Sequence, residues 1–272
     1  MPLNIIVCVK QVPDPERSDQ VTIDPKTGSI NRTGIPSITN PLDRHAIEEA
    51  LRIKEAFGGV LTVLTMGPSQ ARRSIEEALA MGADRGAILC DRIFAGADTL
   101  LTAYLLSNGI RAIGNFDLIL CGNETTDGGT RQVPPQLAEL LDIPHVTHAR
   151  KILLTDTKRV IVERTVENGY LKIDLRLPAL IAVLKSINQY RLPTAMGIME
   201  ATKKEIIEFG SPICQSGSSL EGGYIGSLGS ATKMIEIFEP LQRRSIEIIG
   251  GPPNEAAQKL VKRLRDLQVL SR

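Results

Sequence analysis

The sequence predicts an α/β fold in which a mainly parallel sheet is covered by helices on both faces. Apolar runs of strand length alternate with amphipathic helical segments through the first two-thirds of the chain, a pattern typical of parallel strands joined by crossover helices. The stretch from Cys121 to Gln132 is a second observation, because this polar, glycine-containing segment lies where a buried strand gives way to a helix. In such sheets, ligands bind in loops at the carboxyl ends of the strands.

The first two-thirds of the chain contain four predicted strands and four predicted helices. The strands are predicted at residues 4–9, 60–66, 87–89 and 116–121, where short apolar runs are bounded by turn residues. The helices are predicted at residues 44–57, 69–81, 98–113 and 132–141, where apolar side chains recur at helical spacing. Ser69 is predicted to be the N-cap of the second helix.

After residue 141 the pattern changes to short extended segments at residues 158–164, 171–175 and 179–184. The pair Asn168-Gly169 predicts a hairpin turn between the first two. Residues 210–230 are rich in Gly and Ser and are predicted to form a flexible loop or linker. A last helix is predicted at residues 254–267, and its apolar stripe needs a partner, either this chain's own core or another subunit. The predicted divisions are a domain at 1–209, a linker at 210–230 and a C-terminal arm at 231–272.

Composition excludes several classes of function. The 272 residues include 32 basic and 31 acidic side chains, a net charge of +1, so no broad field favours nucleic acid or an anionic membrane. The four cysteines are widely spaced without a Cys-x-x-Cys pair, which predicts reduced, mostly buried thiols in a cytoplasmic protein. The apolar stretch at residues 3–9 is predicted to be a strand, since it is too short for a secretory signal or a membrane span.

The loop at residues 121–132 is a candidate phosphate site. Its glycines let the backbone approach an anion closely, and the following helix would offer unpaired N–H groups and a partial positive charge. The loop nevertheless matches neither the Gly-x-Gly-x-x-Gly nor the Gly-x4-Gly-Lys-Ser/Thr fingerprint. An ordinary strand-to-helix turn explains the loop equally well when it is considered alone.

Three other loops follow predicted strands or precede predicted helices, and all are expected to meet at one edge of the sheet. Lys10 ends the first strand, where it would reach a phosphate or a carboxylate of another subunit, or simply be solvated. Asn40 and Asp43 precede a helix and would bond an adenine edge, a ribose or free backbone amides, with helix capping as the plain alternative. Gly67 allows close approach after the strand at 60–66, or forms an ordinary turn. Together with the 121–132 loop they favour a nucleotide site.

Other chemistries find little support. His145 and His148 form a His-x-x-His pair that is predicted to lie in a loop, and no cysteine or carboxylate cluster accompanies them or His45 with metal-ligand spacing. No Gly-x-Ser-x-Gly elbow or other activated nucleophile is evident. A nucleotide site without catalytic side chains suggests that the ligand itself carries the chemistry, as redox cofactors do.

A set of motifs spread nearly from end to end resembles the β subunits of electron transfer flavoproteins. The motifs are Val7 to Asp14, Thr39 to Pro41, Ala46 to Lys54, Met66 to Pro68, Ala80 to Gly86, Asp127 to Gln132 and the signature at residues 162–180. Asn168 and the Leu171-Lys172 pair depart from acidic positions of that signature, while its flanks agree.

The resemblance implies a Rossmann-like fold, a heterodimer with an α subunit contacted by the C-terminal arm, and an adenine nucleotide held by the loops above. The implied cofactor-binding residues are Cys8, Val9, Lys10, Asn40, Pro41, Leu42, Asp43, Thr65, Met66, Gly67, Gly122, Thr125, Thr126, Asp127, Gly128, Gly129, Thr130, Arg131, Gln132, Val133, Pro134, Pro135 and Gln136.

The resemblance also distinguishes two types of member. Conventional β subunits hold structural AMP, whereas electron-bifurcating ones hold FAD that is reduced by NADH. The Asp127-Gly128-Gly129-Thr130 sequence is similar to the bifurcating type. Gly128 and Gly129 would leave room for a diphosphate, and Thr130 would cap the helix and also form a hydrogen bond to the diphosphate. The resulting hypothesis is a bifurcating subunit that passes electrons between NADH, a flavin-containing dehydrogenase and a low-potential acceptor such as ferredoxin.

A partner-docking loop is also implied by the resemblance, although a plain surface loop is the simpler interpretation. Its residues are Tyr190, Arg191, Leu192, Pro193, Thr194, Ala195, Met196, Gly197, Ile198 and Met199. Some members place a leucine where this chain has Ala195 beside Met196, so the dehydrogenase need not be one that oxidises acyl-CoA.

Two alternatives remain open. One is a conventional subunit with AMP that carries electrons from an acyl-CoA dehydrogenase. The other is a non-redox nucleotide-binding sensor, or an ATP-using ligase relative. Such ligases carry a Ser-Gly-Gly-x-Asp-Ser loop after the first strand, where this chain has Lys10 to Asp14.

Overall fold

The computed structural model describes residues 2–20, 22–23, 30–31, 36–154, 158–214, 229–232, 235 and 246–269. The chain divides into two compact units, Met1–Ile235 and Glu236–Arg272. Most of the Gly/Ser-rich segment predicted as a linker, residues 215–228, lies outside the described residues.

A nine-stranded sheet forms the centre of the first unit. The strands of the unit are β1 (Leu3–Val9), β2 (Gln11–Pro13), β3 (Thr22–Ile23), β4 (Ile30–Asn31), β5 (Ser37–Thr39), β6 (Gly59–Met66), β7 (Arg85–Leu89), β8 (Leu118–Gly122), β9 (His145–Leu154), β10 (Arg159–Val166), β11 (Gly169–Arg176), β12 (Ala179–Val183) and β13 (Ile206–Phe209). The order in the large sheet is β11-β10-β9-β12-β8-β1-β6-β7-β13. Neighbouring strands are parallel except for β9–β10 and β10–β11.

Helices cover both faces of this sheet, as the sequence predicts. They are α1 (Pro41–Phe57), α2 (Arg72–Met81), α3 (Thr99–Ile113), α4 (Val133–Leu141) and α5 (Ala195–Ala201). One buried cluster joins α1 and α2 to Leu3, Ile5 and Val7 of β1. A second cluster joins α3 and α4 to Ile6 and Cys8, which point to the other face. The alternation of side chains along β1 therefore serves two cores, as expected of a strand buried on both faces.

Most predicted elements are confirmed with small shifts of their ends. The predicted hairpin is present, because β10 and β11 pair antiparallel with Val166 opposite Gly169. Asp98 caps α3 by accepting a hydrogen bond from the Leu101 amide at 2.9 Å. The prediction for Ser69 is wrong, because Ser69 begins a short 3-10 helix that ends at Ala71, and Ala71 occupies the N-cap position of α2.

Among the described residues, seven elements were not predicted: the short strands β2, β3, β4 and β5, and the elements β9, α5 and β13. The pair His145 and His148 lies in a strand, β9, rather than in a loop. The strand was hidden because a bulge interrupts its pairing, and His148 has a positive φ of 58° that breaks the alternation of side chains. The segment expected to be a docking loop contains the short helix α5, capped by Thr194, whose hydroxyl accepts from the Gly197 amide at 3.0 Å. Strand β13 completes the far edge of the sheet.

The second unit contains the helix α6 (Pro253–Asp266), close to the predicted bounds. Its Leu260 and Val261 are exposed within the described residues. In the described part of the chain, no helix has the length and apolar character needed to span a membrane.

Candidate functional site

The topology places a ligand crevice beside β1. The chain runs from β1 to β6 and β7 on one side and then returns to β8 on the other side of β1. Ligands bind outside the carboxyl ends of the strands at such a switch point. Lys10, which follows β1, and Gly122, which ends β8, therefore stand at the centre of the candidate site.

Asp43 joins the two strand ends at this switch point. Its carboxylate accepts hydrogen bonds from the amides of Lys10 at 2.8 Å and Gly122 at 2.9 Å. Burial raises the pKa of Asp43 to about 7, although hydrogen bonds from Asn40, Lys10 and Gly122 act in the opposite direction. A Cβ added at Gly122 would lie 2.4 Å from Asp43 Oδ1, so only glycine fits there. Of the options considered from sequence, the structure assigns Asp43 to backbone amides.

Asn40 connects the start of α1 to the loop that follows β8, residues 122–132, here called the 122–132 loop. Its Nδ2 donates to the Glu124 carbonyl at 3.0 Å, and its Oδ1 accepts from the Thr126 amide at 3.3 Å. The Asn40 amide itself donates to the carbonyl of Lys10 at 2.9 Å. Asn40 is fully buried. It thus holds the loop against the end of β1, and its side chain makes no cap bond to α1.

Lys10 and the glycine pair shape the exposed side of this loop. Lys10 Nζ lies 2.8 Å from Asp127 Oδ1, so the lysine pairs with a carboxylate of its own chain. A turn brings the Gly129 amide to the Thr125 carbonyl at 2.8 Å, and Gly129 has a positive φ of 59°. A Cβ added at Gly129 would meet nothing within 4 Å, and one at Gly128 would meet only Thr125 Oγ1 at 3.2 Å. The loop is therefore open on this side.

The start of α4 differs from the sequence prediction. The helix begins at Val133, and Pro134 and Pro135 follow, so two of its first three residues have no N–H to offer an anion. Thr130 does not cap the helix, because the N-cap position belongs to Gln132 and makes no side-chain cap bond. Donors for a phosphate must come from the loop itself. Within the described residues, the amides of Gly128 and Thr130 have no hydrogen-bonding partner.

The loop after β6 offers fewer groups to a ligand at the candidate site than its sequence suggests. Thr65 is fully buried and its hydroxyl donates to the Val9 carbonyl at 2.8 Å. The Gly67 amide donates to the Leu89 carbonyl at 3.0 Å, and a Cβ at Gly67 would lie 2.9 Å from the Cβ of Ala71. Gly67 therefore allows the turn to pack closely, and Met66 and Gly67 are both partly buried.

Two thiols lie beneath the site. Cys8 and Cys121 are direct neighbours in the pairing of β1 with β8, and both are buried and free. Burial, with a smaller contribution from Asp43, raises the pKa of Cys8 to about 12. The pKa of Cys121 is also raised, chiefly by burial. Both groups are therefore neutral thiols that pack as small apolar side chains.

Asn123 and Glu124 lie in the loop that the sequence predicted as a phosphate site, although they were not among the implied cofactor-binding residues, and His148 was not assigned to the site at all. Asn123 Oδ1 accepts from the His148 amide at 2.9 Å, which ties the bulge of β9 to the 122–132 loop. Glu124 forms a bidentate pair with Arg131 at 2.7 and 3.1 Å. Burial and the charges of Arg164 and Arg131 lower the pKa of His148. A bulged histidine bonded to the loop could have been found only from the pairing of β9, which the sequence did not reveal.

The segment predicted to dock a partner, residues 190–199, lies apart in the sequence and rests on α1 and α2. Tyr190 and Arg191 turn toward α1, where the Tyr190 ring meets His45 edge-on with centroids 5.1 Å apart. The apolar side chains that follow are exposed. They are Leu192, Met196, Ile198 and Met199, between 55% and 75% exposed.

The chain is similar over most of its length to known proteins. Residues 27–212 match the family model described as the electron transfer flavoprotein domain. The electron transfer flavoprotein subunit beta of Thermoanaerobacterium thermosaccharolyticum is 43% identical, over 98% of this chain and 100% of that protein. The caffeyl-CoA reductase-Etf complex subunit CarD of Acetobacterium woodii is 40% identical, over 98% of this chain and 100% of that protein. The acryloyl-CoA reductase electron transfer subunit gamma of Anaerotignum propionicum is 38% identical, over 98% of this chain and 100% of that protein.

Proposed function

This chain belongs to the electron transfer flavoprotein family, as a β subunit, and on that premise we propose that it is of the electron-bifurcating type, with FAD bound at the 122–132 loop. β subunits of this family transfer electrons together with an α subunit and a dehydrogenase. One observation carries the choice of FAD, namely the open space beside Gly128 and Gly129. A diphosphate needs more room at the backbone than a single phosphate.

The residues around the loop fit a nucleotide phosphate. Gly128 and Thr130 supply amides without a partner among the described residues, and the positive φ of Gly129 turns the backbone at the same place. The Gly129 amide between them already donates to the Thr125 carbonyl, so the amides of Gly128 and Thr130 are the donors that this turn leaves for an anion. Lys10, paired with Asp127, places an ammonium group at the edge of the loop. Cys8 and Cys121, below, contribute no charge that would repel a phosphate.

Bound at this loop, FAD would supply the redox chemistry, accepting a hydride from NADH and releasing the two electrons singly, one to a flavin of higher potential and one to an acceptor such as ferredoxin. The chain itself holds and orients the nucleotide. Asn40 and Asp43 fix the loop to both strand ends, so the phosphate donors are positioned before any ligand arrives.

The nucleotide content of the purified αβ heterodimer tests this proposal. Acid denaturation followed by chromatography should release two FAD and no AMP per heterodimer. One FAD and one AMP would overturn the bifurcating assignment in favour of a conventional β subunit. A colourless protein that releases nucleotide but no flavin would instead indicate a non-redox sensor.

We further propose that residues 190–199 dock a flavin-containing enzyme that acts on an acyl-CoA. Two relatives of this chain are named as parts of acyl-CoA reductases, one for caffeyl-CoA and one for acryloyl-CoA. Four neighbouring apolar side chains, Leu192, Met196, Ile198 and Met199, are more than half exposed, and such clusters mark sites of protein association. This partner would receive or supply the electrons carried by the heterodimer.

A further inference from the structure

We propose that Arg191 is a positioning residue, which clamps residues 190–199 onto α1 and thereby presents a pre-formed surface to the electron-transfer partner. The inference rests on the docking role proposed above. It concerns a residue that the sequence had grouped with the partner-contacting side chains. The structure gives Arg191 a different set of neighbours, the Glu48 and Glu55 carboxylates of α1.

The Arg191 guanidinium is shared between two carboxylates of α1. Its Nε donates to Glu48 Oε2 at 2.8 Å, and Nη2 donates to Glu48 Oε1 at 3.2 Å and to Glu55 Oε2 at 3.1 Å. The Arg191 amide also donates to Glu48 Oε2 at 3.1 Å, so backbone and side chain are held by the same group. Glu48 is 3% exposed. A carboxylate buried to this extent requires such partners.

The clamp is part of one polar face of α1. His45, Glu48, Glu49, Arg52 and Glu55 recur at helical spacing along this face. These side chains bind consecutive residues of the segment that precedes the docking residues. Asn188 Nδ2 donates to Glu49 Oε2 at 3.0 Å, Asn188 Oδ1 lies 2.9 Å from His45 Nδ1, and Arg52 Nη2 donates to the Gln189 carbonyl at 3.2 Å. Four successive residues, 188 to 191, are thus held by this face.

The other end of the docking segment is fixed on α2. A Cβ added at Gly197 would lie 2.2 Å from the Ala80 carbonyl oxygen, so α5 packs with its backbone directly on α2. Lys204 Nζ donates to the carbonyls of Leu79 at 3.0 Å and Ala83 at 2.7 Å, at the end of that helix. A cation at the C-terminus of a helix is favourable in addition to these bonds.

The arrangement reverses the usual placement of side chains. The single charged side chain of the segment, Arg191, lies against α1, while the apolar groups of Leu192, Met196 and Met199 face solvent. Inward ion pairs cost desolvation and contribute little net stability, but they fix one conformation when all partners are present. A surface that is already ordered loses less entropy when a partner binds. Arg191 therefore acts on docking through the conformation of the segment.

The test uses the purified αβ heterodimer and a purified acyl-CoA dehydrogenase as the electron-transfer partner. Arg191→Ala should raise the KM for the dehydrogenase about tenfold or more, which is the cost of re-ordering several side chains on binding. The kcat and the flavin content should not change. Hydrogen exchange of residues 190–201 should accelerate, while exchange of the 122–132 loop should not. Arg191→Lys keeps the charge but not the two-carboxylate geometry and should give an intermediate KM.

Matched variants make the result specific. Arg159→Ala removes another bidentate arginine pair, with Asp174, and should leave the KM unchanged. Glu55→Gln should raise the KM in the wild-type protein and have no effect when Arg191 is already alanine. Met196→Glu tests the docking role without touching the clamp.

The outcomes are distinguishable. An unchanged KM in Arg191→Ala, together with a raised KM in Met196→Glu, would overturn the clamp and leave the docking proposal intact. An unchanged KM in both variants would overturn both. Loss of flavin or slower turnover in Arg191→Ala would assign the arginine to the fold as a whole, contrary to the inference.

Discussion

The 122–132 loop and the segment at residues 190–199 are fixed to the rest of the protein by different kinds of bonds. In the first, the buried side chains of Asn40 and Asp43 bond backbone groups, and the exposed side is left to glycines. In the second, ion pairs between side chains hold the segment to α1, and the exposed side is apolar. The first leaves room for a small anionic ligand, whereas the second offers area to a protein. The difference predicts that damage to one region should spare the function of the other.

Gly122→Ala should have the largest effect and tests whether the first region depends on its backbone. The added Cβ would lie 2.4 Å from Asp43 Oδ1, and Asp43 is itself buried. Overpacking together with the loss of two buried hydrogen bonds should lower the free energy of unfolding by about 5 kcal/mol. Urea unfolding and nucleotide content measure this. The matched control is Gly114→Ala, at a helix end with open space around it, and only its positive φ should cost stability. Equal losses in both variants would contradict the special role of Gly122.

The pH dependence of stability sharpens the comparison, because the buried carboxyl of Asp43 lies only in the first region. Its pKa is about 7 in the folded protein and 3.8 normally, so the folded state takes up a proton between these values while the unfolded state does not. The free energy of unfolding should therefore fall as the pH rises from about 4 to about 7, by up to about 4 kcal/mol. Asp43→Asn should abolish this component, measured as the difference between wild-type and variant unfolding curves. A difference that does not vary with pH would refute the assignment.

Met196→Glu should affect only the second region. A charge placed among exposed apolar contacts should weaken docking by about 2 kcal/mol, roughly thirtyfold in the KM for the dehydrogenase. Flavin content and the reduction of the bound flavin should remain at wild-type levels, since Met196 lies in the other region. Equal loss of flavin and of electron transfer would show that the two regions are not separable.

Lys10→Met should have the smallest effect on stability, because the Lys10–Asp127 pair lies at the surface and such pairs contribute less than about 1 kcal/mol. The binding of AMP or FAD to nucleotide-free heterodimer should nevertheless weaken about tenfold, since a charge-assisted bond to phosphate is lost. Titration calorimetry measures the affinity, with Lys10→Arg as the variant that keeps the charge. Unchanged affinity in Lys10→Met would mean that the lysine serves only Asp127.

The sequence predicts the local parts of this molecule well. The strand ends, the 122–132 loop and the α/β alternation follow from apolar runs and glycines that lie close together in the chain. Strand β9 was not predicted because the positive φ of His148 interrupts the alternation of its side chains between the two faces of the sheet. Helix α5 was not predicted because its seven residues are too few to show apolar side chains recurring at helical spacing.

The bonds that hold the two regions are of a different kind. Asp43 meets Gly122 across 79 residues, and Arg191 meets Glu48 across 143 residues. No local pattern in the sequence carries such a pairing, because the side chains become neighbours only after the sheet and α1 are in place. The sequence therefore pointed to both segments as candidates without showing what holds them in place. It also overstated the anion-binding capacity of α4, because two prolines remove the expected donors.

The thiols of Cys8 and Cys121 can report local opening of the sheet between β1 and β8. Alkylating reagents attack the thiolate, and burial keeps both thiols neutral and covered while the strands remain paired. Among the three cysteines whose burial is described, Cys90 is the least buried and should be modified before Cys8 and Cys121. The rate at which iodoacetamide labels Cys121 would then measure how often β1 and β8 separate at this position while the rest of the protein stays native. A nucleotide bound at the 122–132 loop should lower the rate at which these thiols are labelled.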